Sequence, residues 1–181
     1  MAAPARDRCA VTDAKTLVLG AMAMSLIAAS SMHHAAPLLL WNTSASVPVG
    51  LYRTERPHVL GLGEIVVVRP PARLAGFLDR RRYLPLGVPL LKRIAALPSQ
   101  RVCRVGAVIL IDRRPIARAL KHDRRGRPLP VWSGCFVLDE QSVFLLNRDR
   151  PDSLDGRYFG ALPGDAVVAR AIPIWTMETP R

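Results

Sequence analysis

The chain has 181 residues, half of them apolar, which suits one domain with a proper core and excludes both an intrinsically disordered protein and a disulfide-packed mini-protein. Lys plus Arg number 26 against 14 Asp plus Glu, and the net charge of +12 points towards anionic partners such as a membrane surface or nucleic acid. The 16 Pro and 12 Gly argue against a helical bundle, and Cys9, Cys103 and Cys135 have no zinc-ligand spacing, so neither a metal nor a cofactor is expected.

The first element is apolar. No Asp, Glu, Lys or Arg lies between Lys15 and Arg53, and residues 16–32 (TLVLGAMAMSLIAASSM) are nearly all hydrophobic. A bilayer core takes roughly 20 residues of helix. The predicted anchor therefore runs over residues 16–41, taking in His33 and His34 and placing Trp41 at the membrane interface. Arg6, Arg8 and Lys15 precede it, so residues 1–15 read as a cytoplasmic tail and residues 42–181 as an exported domain. Two other readings are a cleaved signal peptide, with Ala35 and Ala36 at the cut, and a buried helix of a soluble domain.

Beyond Asn42 the pattern changes to short β-type runs broken by Pro and Gly. Strands are predicted at Gly63–Arg69, Val88–Ala96, Arg101–Val105, Val108–Asp112, Cys135–Leu138, Val143–Asn147 and Asp165–Ile172, with one short helix in Ala72–Arg82. Their number and spacing predict a mainly β fold, an antiparallel sandwich or open barrel behind one N-terminal transmembrane helix. Two Arg-rich stretches, Asp79–Arg82 and Arg113–Arg127, read as exposed hairpin tips or as a surface drawn to anionic lipid. Aromatics make up 6% of the chain and none lies in the second stretch, so base stacking has no platform and no nucleic acid is expected. Cys103 and Cys135 fall in or beside predicted strands; they form either a disulfide or two separately buried thiols.

Three segments carry residues able to do chemistry. Asn42–Tyr52 (NTSASVPVGLY) has two alternating serines followed by Pro and Gly. In Leu90–Pro98, period 2 puts Leu90, Lys92 and Ile94 on one face of a strand and Leu91, Arg93 and Ala95 on the other. Of the two cations only Lys92 could serve as a general base, because a desolvated Lys loses its proton near neutral pH and Arg does not. The alternative is that both side chains snorkel to water. In Asn147–Gly160, Ser153, Asp155 and Arg157 share a face if the segment is extended. An Asp–Arg pair there can orient neighbours, and a Ser hydroxyl can hold an amine.

Taken in order, an apolar anchor, Ser-x-Ser-x-Pro-x-Gly, Lys-Arg in an apolar strand, and Asn-Arg…Ser-x-Asp-x-Arg-Tyr-x-Gly resemble the type I signal peptidase family, serine peptidase S26. The compact Ser-x-Pro-x-Gly-x-Tyr at Ser46–Tyr52 is similar to the conjugative-transfer, TraF-like branch. The resemblance implies a membrane-anchored serine endopeptidase with its catalytic domain on the periplasmic side of a bacterial inner membrane. It makes Ser46 the nucleophile, Lys92 its general base, and the Ser46 N–H and the Ser44 hydroxyl the oxyanion hole. Ser153 would orient the amine, Arg157 would buttress the site, and Asp155 would take part in activity itself. General signal peptidases read Ser-Met-x-Pro; here Ser46 is two steps from Pro48 and Val47 replaces Met, which keeps Ser44 as an alternative nucleophile.

The implied substrates are exported, pilin-like precursors cut for conjugative transfer, with release by water or by a substrate amine that closes a ring. A shallow apolar pocket lined by Ile65–Val68 would take small residues on the acyl side. A housekeeping signal peptidase is the alternative within the class. A non-catalytic, basic, membrane-tethered assembly or nucleic-acid-binding protein is the alternative outside it.

Overall fold

The computed structural model describes residues 14–31, 37–57 and 59–177. In chain order the elements are α1 (Ala14–Ser31), β1 (Leu39–Asn42), β2 (Val49–Glu55), β3 (Ile65–Val68), α2 (Ala72–Arg80), β4 (Leu90–Ala96), β5 (Arg101–Val105), β6 (Val108–Ile111), β7 (Arg114–Arg118), β8 (Gly134–Val137), β9 (Ser142–Leu145), α3 (Gly156–Phe159), β10 (Leu162–Pro163) and β11 (Val167–Met177). The chain divides into two units, residues 1–35 and 36–181.

In the first unit α1 has 18 residues and is about 27 Å long, short of the ~30 Å of a bilayer core. Among the described residues no helix is long and apolar enough to cross a membrane. Cys9, His33, His34 and the proposed cleavage site at Ala35 and Ala36 lie outside the described residues. The expected end of the anchor at Trp41 is corrected by the second unit. Pro37 has no N–H and blocks continuation of a helix. Leu39–Asn42 then give their backbone groups to β2 as an edge strand, with Trp41 opposite Leu51. Trp41 stacks on Trp175 at 5.8 Å between ring centroids.

The second unit is mainly β, as expected, and every strand pair is antiparallel. Its large sheet runs β1-β2-β11-β3-β4-β9-β10 and its small sheet β7-β6-β5-β8. Strand β3 is a run of Ile and Val buried on both faces. Val66 and Val68 pack with Ile94 and Leu145 on one side, while Ile65 and Val67 pack with Tyr52 and Leu91 on the other. A third cluster joins the sheets through Val102 and Ile109 of the small sheet and Ala96 and Phe144 of the large one.

Strands β1, β2, β7 and β10 fall outside the predicted set. The inner face of β2 carries Gly50, Tyr52 and Thr54, a buried row with only one large apolar side chain. Strand β7 is an edge strand with Arg at both ends and a Pro inside, so part of the expected Arg-rich hairpin tip is sheet.

Cys103 and Cys135 face each other across β5 and β8 and are disulfide-bonded. The bridge closes a loop with a sequence separation of 32, which in a chain-entropy estimate contributes about 3–4 kcal/mol. Replacing both cysteines by Ala is expected to lower the urea unfolding free energy of the full chain by about that amount.

Candidate active site

Asn42 ends β1 and builds the loop that leads into β2. Its side-chain N–H groups donate to the carbonyls of Ser44 (2.8 Å), Val47 (3.2 Å) and Pro48 (3.0 Å). Three acceptors around that nitrogen fix the amide orientation. Its oxygen then accepts from the Ser44 N–H at 3.1 Å and the Ser44 hydroxyl at 3.0 Å. The only Ser44 hydroxyl proton is thereby used, so in the 3.0 Å contact between Ser44 Oγ and Ser46 Oγ the donor is Ser46. From beneath, the buried Tyr52 donates its hydroxyl to the Pro48 carbonyl at 2.6 Å. Gly50 lets β11 approach, for a Cβ there would sit 2.2 Å from the Trp175 carbonyl oxygen. The Pro, Gly and Tyr of the motif thus hold the serine loop in one shape.

Lys92 lies on β4 opposite Val66 of β3, on the face that carries Leu90 and Ile94. Its residue is only 3% exposed, so the snorkelling alternative is excluded for it, while Arg93 on the other face keeps partial access to water. The amine donates to Ser153 Oγ at 2.9 Å, and Asn147 Nδ2 donates to the same oxygen at 3.3 Å. Burial lowers the Lys92 pKa from 10.5 to about 8; Asp155 opposes the shift, Arg157 adds to it and Asp152 opposes it.

The segment behind Ser153 is held by a buried ion pair. Asp155 is 0% exposed and Arg157 1%. Arg157 donates from Nε to Oδ1 at 2.8 Å and from Nη2 to Oδ2 at 2.7 Å. The Arg157 N–H and the Asn147 N–H fill the remaining acceptor positions of Asp155, which also caps α3. Arg157 further donates to the carbonyls of Asn147, Arg150 and Pro151, so the pair shapes the loop that presents Ser153. Buried Arg104, from the small sheet, donates to the Arg157 carbonyl at 2.5 Å and ties that sheet to the site.

Ser44, Ser46, Lys92 and Ser153 line one cleft of about 430 Å³. Among the described residues Lys92 is hydrogen-bonded to Ser153 and Ser46 to Ser44. Asp155, expected to take part in the reaction, does not line the cleft and has all four acceptor positions occupied by Arg157 and Asn147. The Ile65–Val68 strand is buried throughout and does not line the cleft either; the apolar wall comes from Leu78, Leu84, Leu90, Leu120 and Leu129. Sequence reasoning missed Asn42 and gave no role to Asn147, since a lone Asn in a loop carries no distinguishing signal. Among the described residues no group of His, Cys, Asp and Glu is arranged to hold a metal.

Asp155→Asn is expected to cost about 3–5 kcal/mol of stability, because it leaves the Arg157 charge buried without its counter-ion. It also removes the charge that raises the Lys92 pKa, so any surviving activity should begin at lower pH. Urea unfolding and a pH–rate profile measure the two effects separately.

The family profile described as signal peptidase, peptidase S26, matches residues 11–176. The chain is 33% identical over 182 residues to a probable conjugal transfer protein TraF of Sinorhizobium fredii, an alignment spanning 90% of each chain. It is 34% identical to a conjugal transfer protein TraF of Agrobacterium tumefaciens, over 76% of this chain and 82% of that one. It is 31% identical to a plasmid transfer protein TraF of Escherichia coli, over 88% of this chain and 94% of that one. Among solved structures, a signal peptidase I from Enterococcus faecalis aligns with 62% of this chain and 97% of its own, at 16% identity and a TM-score of 0.37.

Proposed function

The chain belongs to the signal peptidase family, peptidase S26, and from that premise we propose that it is a membrane-anchored serine endopeptidase that matures exported, pilin-like precursors for conjugative transfer. The names of its relatives, conjugal and plasmid transfer proteins, support the specialised role over housekeeping removal of signal peptides. The observation that carries the catalytic reading is the buried Lys92 amine in the same cleft as two alternating serines.

In this reading Ser46 is the nucleophile. A Ser hydroxyl attacks a carbonyl only when a nearby base takes its proton. Neutral Lys92, oriented by Ser153 and Asn147, accepts that proton and later returns it to the leaving amine. The substrate draws the two groups together, for catalytic hydrogen bonds often tighten only in the complex. As the tetrahedral oxyanion forms, the Ser44 hydroxyl turns from Asn42 towards it, alongside the Ser46 N–H. A donor of this kind is worth about 3 kcal/mol in a well-studied protease. Water or a substrate amine then releases the acyl-enzyme.

Arg6, Arg8 and Lys15 ahead of the apolar segment favour a cytoplasmic N-terminus. The Cys103–Cys135 bridge is consistent with a catalytic domain on the oxidising, periplasmic side of the inner membrane. Incubating the detergent-solubilised chain with a pilin precursor and weighing the products tests the proposal. Cleavage supports it, and a product one water lighter than the linear peptide identifies ring closure. An unchanged precursor rules the proposal out.

A further inference from the structure

The cleft that holds the serines and Lys92 also carries a surplus of positive charge, five arginines against two aspartates. Three of the arginines are already paired. Arg127 binds Asp123 at 2.7 Å, and Arg124 and Arg150 share Asp152. Arg82 and Arg125 remain. Both are exposed, and neither side chain has a hydrogen bond or an ion pair among the described residues.

These two arginines come from segments more than 40 residues apart that are fastened together. Arg82 sits in the turn after α2 with a positive φ of 54°. Arg125 sits in the turn of residues 123–127, where the Asp123 carboxylate accepts the N–H groups of Arg125 (2.8 Å) and Arg127 (2.9 Å). Arg81 donates to the Pro128 carbonyl at 2.7 Å and Arg127 returns a bond to the Arg81 carbonyl at 3.0 Å. The Arg127 guanidinium lies 4.9 Å from the centroid of the Tyr83 ring, and the Tyr83 hydroxyl donates to Asp123. Two unpaired guanidiniums are thus mounted on a cross-linked frame at one wall of the cleft. A guanidinium binds a carboxylate through paired, charge-assisted bonds. A surplus of one sign of charge in a cleft also raises the local concentration of oppositely charged chains.

We infer that Arg82 and Arg125 recognise a carboxylate on the substrate beside its cleavage site, so that the enzyme selects precursors with an acidic residue flanking the cut. The inference rests on the peptidase reading of the cleft.

Binding is measured on the full-length Ser46→Ala variant in detergent, with fluorescent peptides carrying an Ala-Ala junction. One series places an Asp-Glu pair at successive positions on either side of the junction; the other places Asn-Gln at the same positions. At low salt the acidic series is expected to bind about tenfold more tightly at one or more positions. The preference should vanish in Arg82→Gln/Arg125→Gln and persist in Arg113→Gln/Arg114→Gln, which removes the same charge outside the cleft. Equal binding of the two series, or a preference that survives Arg82→Gln/Arg125→Gln, overturns the inference. So does a double variant that loses binding only to phosphatidylglycerol vesicles, which would assign the pair to lipid. Because this assay needs no turnover, failure of the peptidase reading shows separately, as absence of cleavage by the wild type.

Discussion

Ser46→Ala in the full chain is expected to lower the rate of precursor cleavage by about 10⁴-fold or more, the scale seen when a serine peptidase loses its nucleophile. The fold should hardly register the change. Ser46 is partly exposed, and its hydroxyl makes a single contact, to Ser44. The loop around it is held by Asn42 and Tyr52, neither of which bonds to the Ser46 side chain. Ser44→Ala should behave differently. In the proposed mechanism its loss removes one oxyanion donor, worth about 10²–10³-fold, and leaves the nucleophile in place. Comparing the two variants decides which of the alternating serines attacks. A Ser46→Ala enzyme that still cleaves while Ser44→Ala does not would exchange their roles.

The second expected result separates catalysis from stability. Lys92→Met should abolish cleavage and at the same time make the protein more stable at pH 7. The sign follows from proton binding. Folded Lys92 has a pKa of about 8, below its unfolded value of 10.5, so between those values the unfolded chain binds more protons and stability rises with pH. Below pH 8 the penalty of the buried charge is fully present and amounts to about 3 kcal/mol. Methionine has a similar length and no charge, and it removes that penalty. Ser153 keeps its bond from Asn147 when the amine is gone. The stability gain should therefore be largest at neutral pH and disappear above about pH 10.5. In the proposed mechanism the neutral amine is the base, so activity should rise with pH and reach half its plateau near pH 8. Urea unfolding of both proteins across pH, together with a wild-type pH–rate profile, checks the pair of effects. A Lys92→Met variant that is active, or less stable than wild type at pH 7, would remove the amine from its assigned role.

The β character of the domain was readable because apolar runs such as Ile65–Val68 and Leu90–Ala96 are broken at short intervals by Pro and Gly. Strand β2 escaped because its buried face is written in Gly, Tyr and Thr, which alternation of apolar residues does not detect. Leu38–Trp41 is as apolar as the segment before it and so reads as part of the expected anchor, whereas Leu39–Asn42 pair with β2 as an edge strand. Of the Arg-rich stretches, composition gave the charge but not its direction. It could not tell that Arg82 and Arg125 would line the cleft while Arg113 and Arg114 would lie elsewhere.

Residue order alone placed the alternating serines, the Lys-Arg pair and the Ser-x-Asp-x-Arg box in one chain, and period 2 alone put Lys92 and Arg93 on opposite faces of their strand. Which of those two cations loses its water was decided in three dimensions. The face of β4 that carries Lys92 also carries Leu90 and Ile94 and meets the Asp155–Arg157 loop, whereas the face with Arg93 stays open at that position. The physical reason is that alternation is a local property of the backbone, while desolvation depends on every segment that packs around a side chain, and for Lys92 these include β3 and the Ser153 segment, 61 residues away.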